Sequence, residues 1–213
     1  MRARDNPFAT ERVLQLRYQF PIGTDGWALL LNRLETLHFR AALVGPHGAG
    51  KTTLLEDLGC WLKDRGFRIH SVFLNEQDRA YPFDFFHRVK DEIGGKDIIL
   101  LDGAEQLGAV NWYRFRWQAR RAGGLIITSH LPGRFPLLWH CQTDPNLLAD
   151  LVGRLVETSS LPDQNQMQQL YDRHHGNLRD ALRELYDTVP DRVTLSGAPT
   201  RADDTRQRDV AKL

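Results

Sequence analysis

The octapeptide Gly45-Pro46-His47-Gly48-Ala49-Gly50-Lys51-Thr52 is where residue type and spacing point most directly to chemistry. It fits G-x-x-x-x-G-K-[ST], a glycine-rich loop that opens a helix. Its glycines let successive backbone N–H groups turn inward around a phosphate without a Cβ in the way. Lys51 brings a positive charge to β- and γ-phosphates, and the Thr52 hydroxyl is a hard oxygen donor for Mg²⁺. A helix running on through Thr53 adds the positive end of its dipole. Gly45 to Thr53 are therefore expected to hold a nucleoside triphosphate with its Mg²⁺.

Asp102 is the second element. It closes the apolar run Ile98-Ile99-Leu100-Leu101, and the C-terminal end of a buried parallel strand is where open α/β sheets bind ligands. There its carboxylate can serve Mg²⁺ beside Thr52; the alternative is an N-cap for the next segment. Glu105 is the first candidate for activating a water, and Glu76, just after the run ending at Leu74, is the second. His47 reads as a variable loop position, not a catalyst. The neighbours His174 and His175 do not make a metal site, because adjacent side chains on a turn rarely converge on one ion.

These groups need a frame. Leu30, Leu31, Leu34 and Leu37 repeat at helical spacing, predicting a helix over 27–37. Ala41-Ala42-Leu43-Val44 is a short strand, and 52–62 a helix with Leu54, Leu55, Leu58 and Leu62 on one face. Further strands are expected at 68–74, 97–102, 125–129 and 137–141, with helices over 82–93 and 104–121. Strands alternating with helices and lacking hairpin turns predict α/β: a parallel P-loop-type sheet flanked by helices. After Asp144-Pro145 the pattern becomes purely helical, over 146–157, 163–174 and 177–188. The expected organisation is an α/β domain over 1–144, whose first 25 residues are irregular, a small helical lid over 145–189, and a polar, disordered tail over 190–213.

Composition bounds the answer. At 213 residues and 41% hydrophobic, the chain is long enough to bury a core without staples. Lys+Arg 28 against Asp+Glu 27 excludes a grossly basic nucleic-acid coat protein and an acidic disordered chain. Two cysteines, Cys60 and Cys141, make no disulfide framework. There is no apolar secretory segment after Met1 and no run near the ~18 residues that span a bilayer. A cytoplasmic protein is expected.

Together these motifs resemble the P-loop ATPases of the AAA+ and STAND branches, over roughly Phe39 to Tyr186. The segment from Ile98 to Leu107 looks like a NACHT-type Walker B, in which a small residue follows the aspartate and an acid comes three residues later. The resemblance implies a sensor 1 at Thr128-Ser129-His130, with Ser129 and His130 facing the γ-phosphate. Gly176-Asn177-Leu178-Arg179 is similar to a G-N-x-R sensor 2, which implies that Arg179 reaches the γ-phosphate from the lid. With Lys51 and Glu105, these would form the catalytic set. The chain departs from the AAA+ pattern at Gly103, where an acid is usual, and Arg134 is only positionally suited to be an arginine finger.

From Gln106 to Thr143 no acid occurs, while Arg114, Arg116, Arg120, Arg121 and Arg134 do, interleaved with Trp112, Tyr113, Phe115 and Trp117. Two readings stay open: a surface for DNA or an acidic protein partner, or an amphipathic helix with its aromatics in the core and its arginines in water. Functionally the sequence supports an ATPase switch coupled to a protein or DNA partner, with nucleotide-dependent assembly possible. A small P-loop kinase and a binding module without turnover are the alternatives. No N-K-x-D motif for guanine is present, so ATP is the expected nucleotide.

Overall fold

In the computed structural model, the described residues are 6–20, 25–75, 86, 93–156 and 163–188. Glu76, most of the helix expected over 82–93 and the tail over 190–213 lie outside them.

Five parallel strands form one sheet in the order β2-β3-β4-β1-β5: β1 Arg40–Val44, β2 Arg68–Phe73, β3 Asp97–Asp102, β4 Gly124–Ser129 and β5 Leu137–His140. The inner strands are buried on both faces, and accordingly they read as unbroken apolar runs; in β4 every residue is buried. Side chains alternate between faces. Ala41, Leu43, Ile98, Leu100 and Ile126 pack under α3, Lys51–Asp64, and α2, Gly26–Thr36. Ala42, Val44, Ile99, Leu101, Leu125 and Ile127 pack on the other side with Phe86 and Phe115.

Two boundaries differ from expectation. The segment over 104–121 is not one helix but a 3-10 turn Ala104–Gln106, a helix α4 Ala109–Gln118, and a second 3-10 turn Ala119–Arg121. Leu107 takes an extended conformation (ψ 121°) and buries its side chain, so the helical hydrogen-bond ladder is interrupted there and restarts after Gly108. Nor is the N-terminal stretch wholly irregular. It carries a short helix α1, Thr10–Val13, and spans two parts of the molecule. Phe8 enters the core of the C-terminal helices, Asn6 donates to the Tyr186 carbonyl at 2.9 Å, and Arg17 pairs with Asp57 of α3 at 2.8 Å.

The C-terminal helices are α5 Pro145–Leu155, α6 Gln164–Arg173 and α7 Leu178–Thr188. Each start has a side-chain acceptor for an orphan N–H. Asp144 accepts from Leu147, Asp163 and Gln166 form a reciprocal capping box, and Asn177 accepts from Arg179 and Asp180. Leu148, Val152, Met167, Leu170, Leu178 and Leu182 form a third core separate from those of the sheet. Among the described residues no helix is long and apolar enough to cross a membrane.

Candidate functional site

The loop between β1 and α3 sits at the C-terminal edge of the sheet. Gly48 and Gly50 have φ of 69° and 77°, left-handed values that favour glycine. Gly50 is the N-cap of α3 and offers no side-chain acceptor, so the first N–H groups of the helix lack the usual cap. Instead the helix begins with Lys51, which is buried, its Nζ donating to the carbonyls of Gly45 at 2.8 Å and Pro46 at 2.6 Å. Burial pushes this ammonium below its ordinary value, and the charge of Arg179 acts the same way; Glu105, Cys141 and Asp102 oppose them. A cationic group kept short of countercharge at a helix N-terminus is arranged for an anion.

Under the loop, Thr52 donates to Asp102 Oδ2 at 2.8 Å. The other carboxylate oxygen, Oδ1, accepts from the Thr128 hydroxyl, which itself accepts the Gly103 N–H at 2.9 Å. Asp102 is thus held from two neighbouring elements and aimed along the strand ends. Gly103 is left-handed (φ 81°), and a Cβ there would lie 2.3 Å from the Leu74 carbonyl oxygen. The turn carries Glu105 back over the sheet edge, where Oε1 lies 3.3 Å from His130 Nε2. The ring of His130 is 3.8 Å from that of His47. Glu105 Oε2 is buried and has no hydrogen-bond partner among the described residues.

Ser129 is placed differently from its neighbours. It alternates to the opposite face from Thr128, and its hydroxyl exchanges hydrogen bonds with the Leu131 backbone, donating at 2.8 Å. Of the segment Thr128-Ser129-His130, it is Thr128, not Ser129, that touches Asp102, and its strand parity with Ile126 is the signal for this. Arg134 turns inward, donating to the Leu107 carbonyl at 2.7 Å with its guanidinium 5.1 Å from the Trp112 ring. His174 pairs with Glu184 at 2.6 Å, and among the described residues no cluster of three His, Cys, Asp or Glu forms.

Arg179 is exposed at the start of α7, near enough to Lys51 for its charge to be felt. The contact between the C-terminal helices and the loop is close: a Cβ on Gly48 would fall 2.0 Å from Asn177 Oδ1. Behind the loop, Tyr18 lies where a Cβ on Gly50 would meet its ring at 3.0 Å, and it accepts from Trp139 Nε1 at 3.1 Å. Burial pushes the Cys141 thiol up to about 11. Tyr18 belongs to no local motif, and the approach of Asn177, a member of the Gly176–Arg179 motif, to Gly48 is not readable from that motif, because these partners are distant in sequence.

Sheet order, a glycine-lysine loop after β1 and an acid-ended β3 together define a P-loop NTPase fold of the α/β class. Solved structures of that kind are similar to it. The replication initiator DnaA bound to AMPPCP and single-stranded DNA aligns with TM-score 0.56 at 15% identity, covering 83% of this chain and 64% of that one. AMPPCP-bound DnaA from Aquifex aeolicus gives 0.51 at 17%, covering 79% and 63%. The Thermotoga maritima RuvB variant T158V gives 0.51 at 16%, covering 81% and 64%. The chain spans less than two thirds of the length of these proteins, and at such identities the likeness is one of fold. No protein-family model matches it, and neither does any curated protein at a significant level.

Proposed function

We propose that this chain is a Mg²⁺-dependent ATP-binding protein, an AAA+/STAND-like ATPase switch that couples its nucleotide state to a protein or nucleic-acid partner. One observation carries the reading: an uncapped helix N-terminus, a buried Lys51 resting on its own loop's carbonyls, and a Thr52–Asp102 pair at 2.8 Å meet at one sheet edge. ATP phosphates would replace the Gly45 and Pro46 carbonyls as partners of Lys51 and take up the backbone N–H groups of residues 47–53. The hydroxyl of Thr52 and the carboxylate of Asp102 are hard oxygen donors that fit Mg²⁺. When bound, the ion supplies charge neutralisation on the phosphates.

Glu105 is the group that orients a water and accepts its proton. One of its oxygens is anchored by His130 and the other is left open. His130 fixes the direction of that carboxylate, with the His47 ring tilted against its own, and Ser129 shapes the turn that presents His130. Arg179 closes over the γ-phosphate when the lid, 145–189, settles on the 1–144 domain through Asn177 and Gly48. Assembly with further copies in the nucleotide-bound state, in the cytoplasm, belongs to the same reading.

The test uses the purified chain, measuring binding of a non-hydrolysable ATP analogue and phosphate release with and without Mg²⁺. Lys51→Ala is expected to abolish both. Glu105→Gln is expected to keep binding and lose turnover. Unchanged binding by Lys51→Ala would overturn the site, and unchanged turnover by Glu105→Gln would overturn the role of that acid. A second reading, a nucleotide-dependent binding module, is favoured by Gly103 standing where related ATPases carry an acid. It requires tight Mg²⁺-dependent binding with no phosphate release by the unaltered chain.

A further inference from the structure

Helix α4 has two faces of unusual composition. Inward, Phe115 is fully buried, stacked by Trp112 and met edge-on by Phe86. Outward, Val110, Tyr113 and Trp117 are 74%, 71% and 56% exposed. Half of the aromatics in this stretch are therefore core and half are not, so the amphipathic explanation covers only Trp112 and Phe115. Large rings kept in water on a helix face are costly unless something covers them.

Tyr113, Arg114, Trp117 and Gln118 line a cleft of about 380 Å³. Tyr113 and Trp117 are four residues apart, and such side chains leave a helix about 5–6 Å from one another. Each exposed ring offers a face on which a base can stack. Beyond the cleft, the Arg120 guanidinium lies 4.5 Å from the Trp117 ring centroid, and Arg121 is exposed beside it. Arg40 donates to the Arg120 and Ala122 carbonyls at 3.2 and 2.8 Å. Burial, and then the positive charge of Arg116, hold Arg40 below its ordinary value. Arg116 adds a further positive charge, and the chain from Gln106 to Thr143 contains no acid.

We infer that the outward face of α4 is a docking surface for single-stranded nucleic acid, with bases stacked at Tyr113 and Trp117 and phosphates drawn by Arg114, Arg120 and Arg121. Charge complementarity selects a polyanion, and the exposed rings select one whose bases are free to stack; a duplex hides its base faces. An acidic peptide would satisfy the arginines but leave the rings without planar partners. This surface rests on the switch reading for its coupling and names the partner of that switch, but it is separate from Lys51, so loss of strand binding and loss of ATP binding are distinguishable.

Fluorescence anisotropy with a labelled 20-nucleotide oligo-dT, a duplex of equal length and a polyglutamate peptide tests it. The single strand is expected to bind, more weakly as NaCl rises, and more tightly than either competitor. Trp117→Ala should weaken it about 5- to 150-fold, the range for losing one stacked base, whereas Trp117→Phe should retain most of the affinity. The double charge reversal Arg120→Glu with Arg121→Glu should reduce affinity at least tenfold and flatten the salt dependence. Lys51→Ala should leave strand binding in the absence of ATP unchanged. Both rings are solvent-exposed, so circular dichroism should show these variants folded. No strand binding, binding indifferent to Trp117→Ala and the arginine pair, or preference for the duplex or polyglutamate would overturn the inference.

Discussion

The two ends of β3 carry the same kind of residue under opposite conditions. At its foot, Asp97 is fully buried and its oxygens are filled: Arg68 donates to both at 2.8 and 2.6 Å, His70 bonds one at 2.8 Å, and the Gly94 N–H bonds the other at 2.8 Å. At its head, Asp102 is met by two hydroxyls and the nearby Glu105 has an oxygen with no partner among the described residues. A carboxylate whose lone pairs are all occupied by protein is committed to structure. One left with capacity, beside a buried lysine, is available for a ligand.

Substitutions at the two ends should therefore separate stability from activity. The widest gap is expected for Glu105→Gln, which should lower ATP turnover by about 10²–10⁴-fold, the usual worth of a positioned base, without moving the urea midpoint. Asp97→Asn should do the reverse: about 2 kcal/mol of folding stability lost, read from urea unfolding, with affinity for an ATP analogue unchanged. Loss of analogue binding by Asp97→Asn would erase the contrast.

The same comparison has a pH form. Hydrogen bonding from Arg68, with smaller help from His70 and Gly94, holds the Asp97 carboxyl well below the usual carboxylate range, against the effect of burial. A depressed carboxyl contributes fully above its ordinary value of about 4 and loses that contribution as the pH falls below it. Unfolding midpoints measured from pH 6 down to pH 3 should fall in the unaltered chain and fall less in Asp97→Asn.

Smaller effects are expected where the C-terminal helices meet the loop. Gly48→Ala meets both a left-handed φ and the Asn177 side chain, and should weaken ATP-analogue binding by about tenfold, or roughly 1.4 kcal/mol. Gly66→Ala has φ 84° but open space around it, so isothermal titration should find its affinity unchanged despite a stability loss of about 1 kcal/mol. Arg179→Ala, at an exposed position, should cost only a few-fold in affinity at physiological salt, a smaller loss than that of Gly48→Ala.

The phosphate loop was legible in the sequence because its parts are contiguous, and the sheet because buried parallel strands leave apolar runs. What escaped depends on direction or distance. Thr128 and Ser129 are chemically alike neighbours, and only the parity of β4 decides which faces Asp102. Leu107 fits a helical repeat, so the interruption at Leu107-Gly108 was invisible until the turn at Gly103 fixed the approach. Phe8 and Tyr18 looked like residues of an irregular leader because their partners, Leu148 and Trp139 among them, lie at the far end of the chain.

Gly103 also constrains the history open to this site. The position directly after the aspartate faces the Leu74 carbonyl in a left-handed turn, so no substitution that adds a side chain is accommodated while β2 keeps its present end. A carboxylate could not be gained there by a single replacement, since the adjoining strand would have to retreat at the same time. The spacing from Asp102 to Glu105 is in that sense locked: a lineage with this backbone can lose or keep its acid at the third position, but it cannot move the acid next door one mutation at a time.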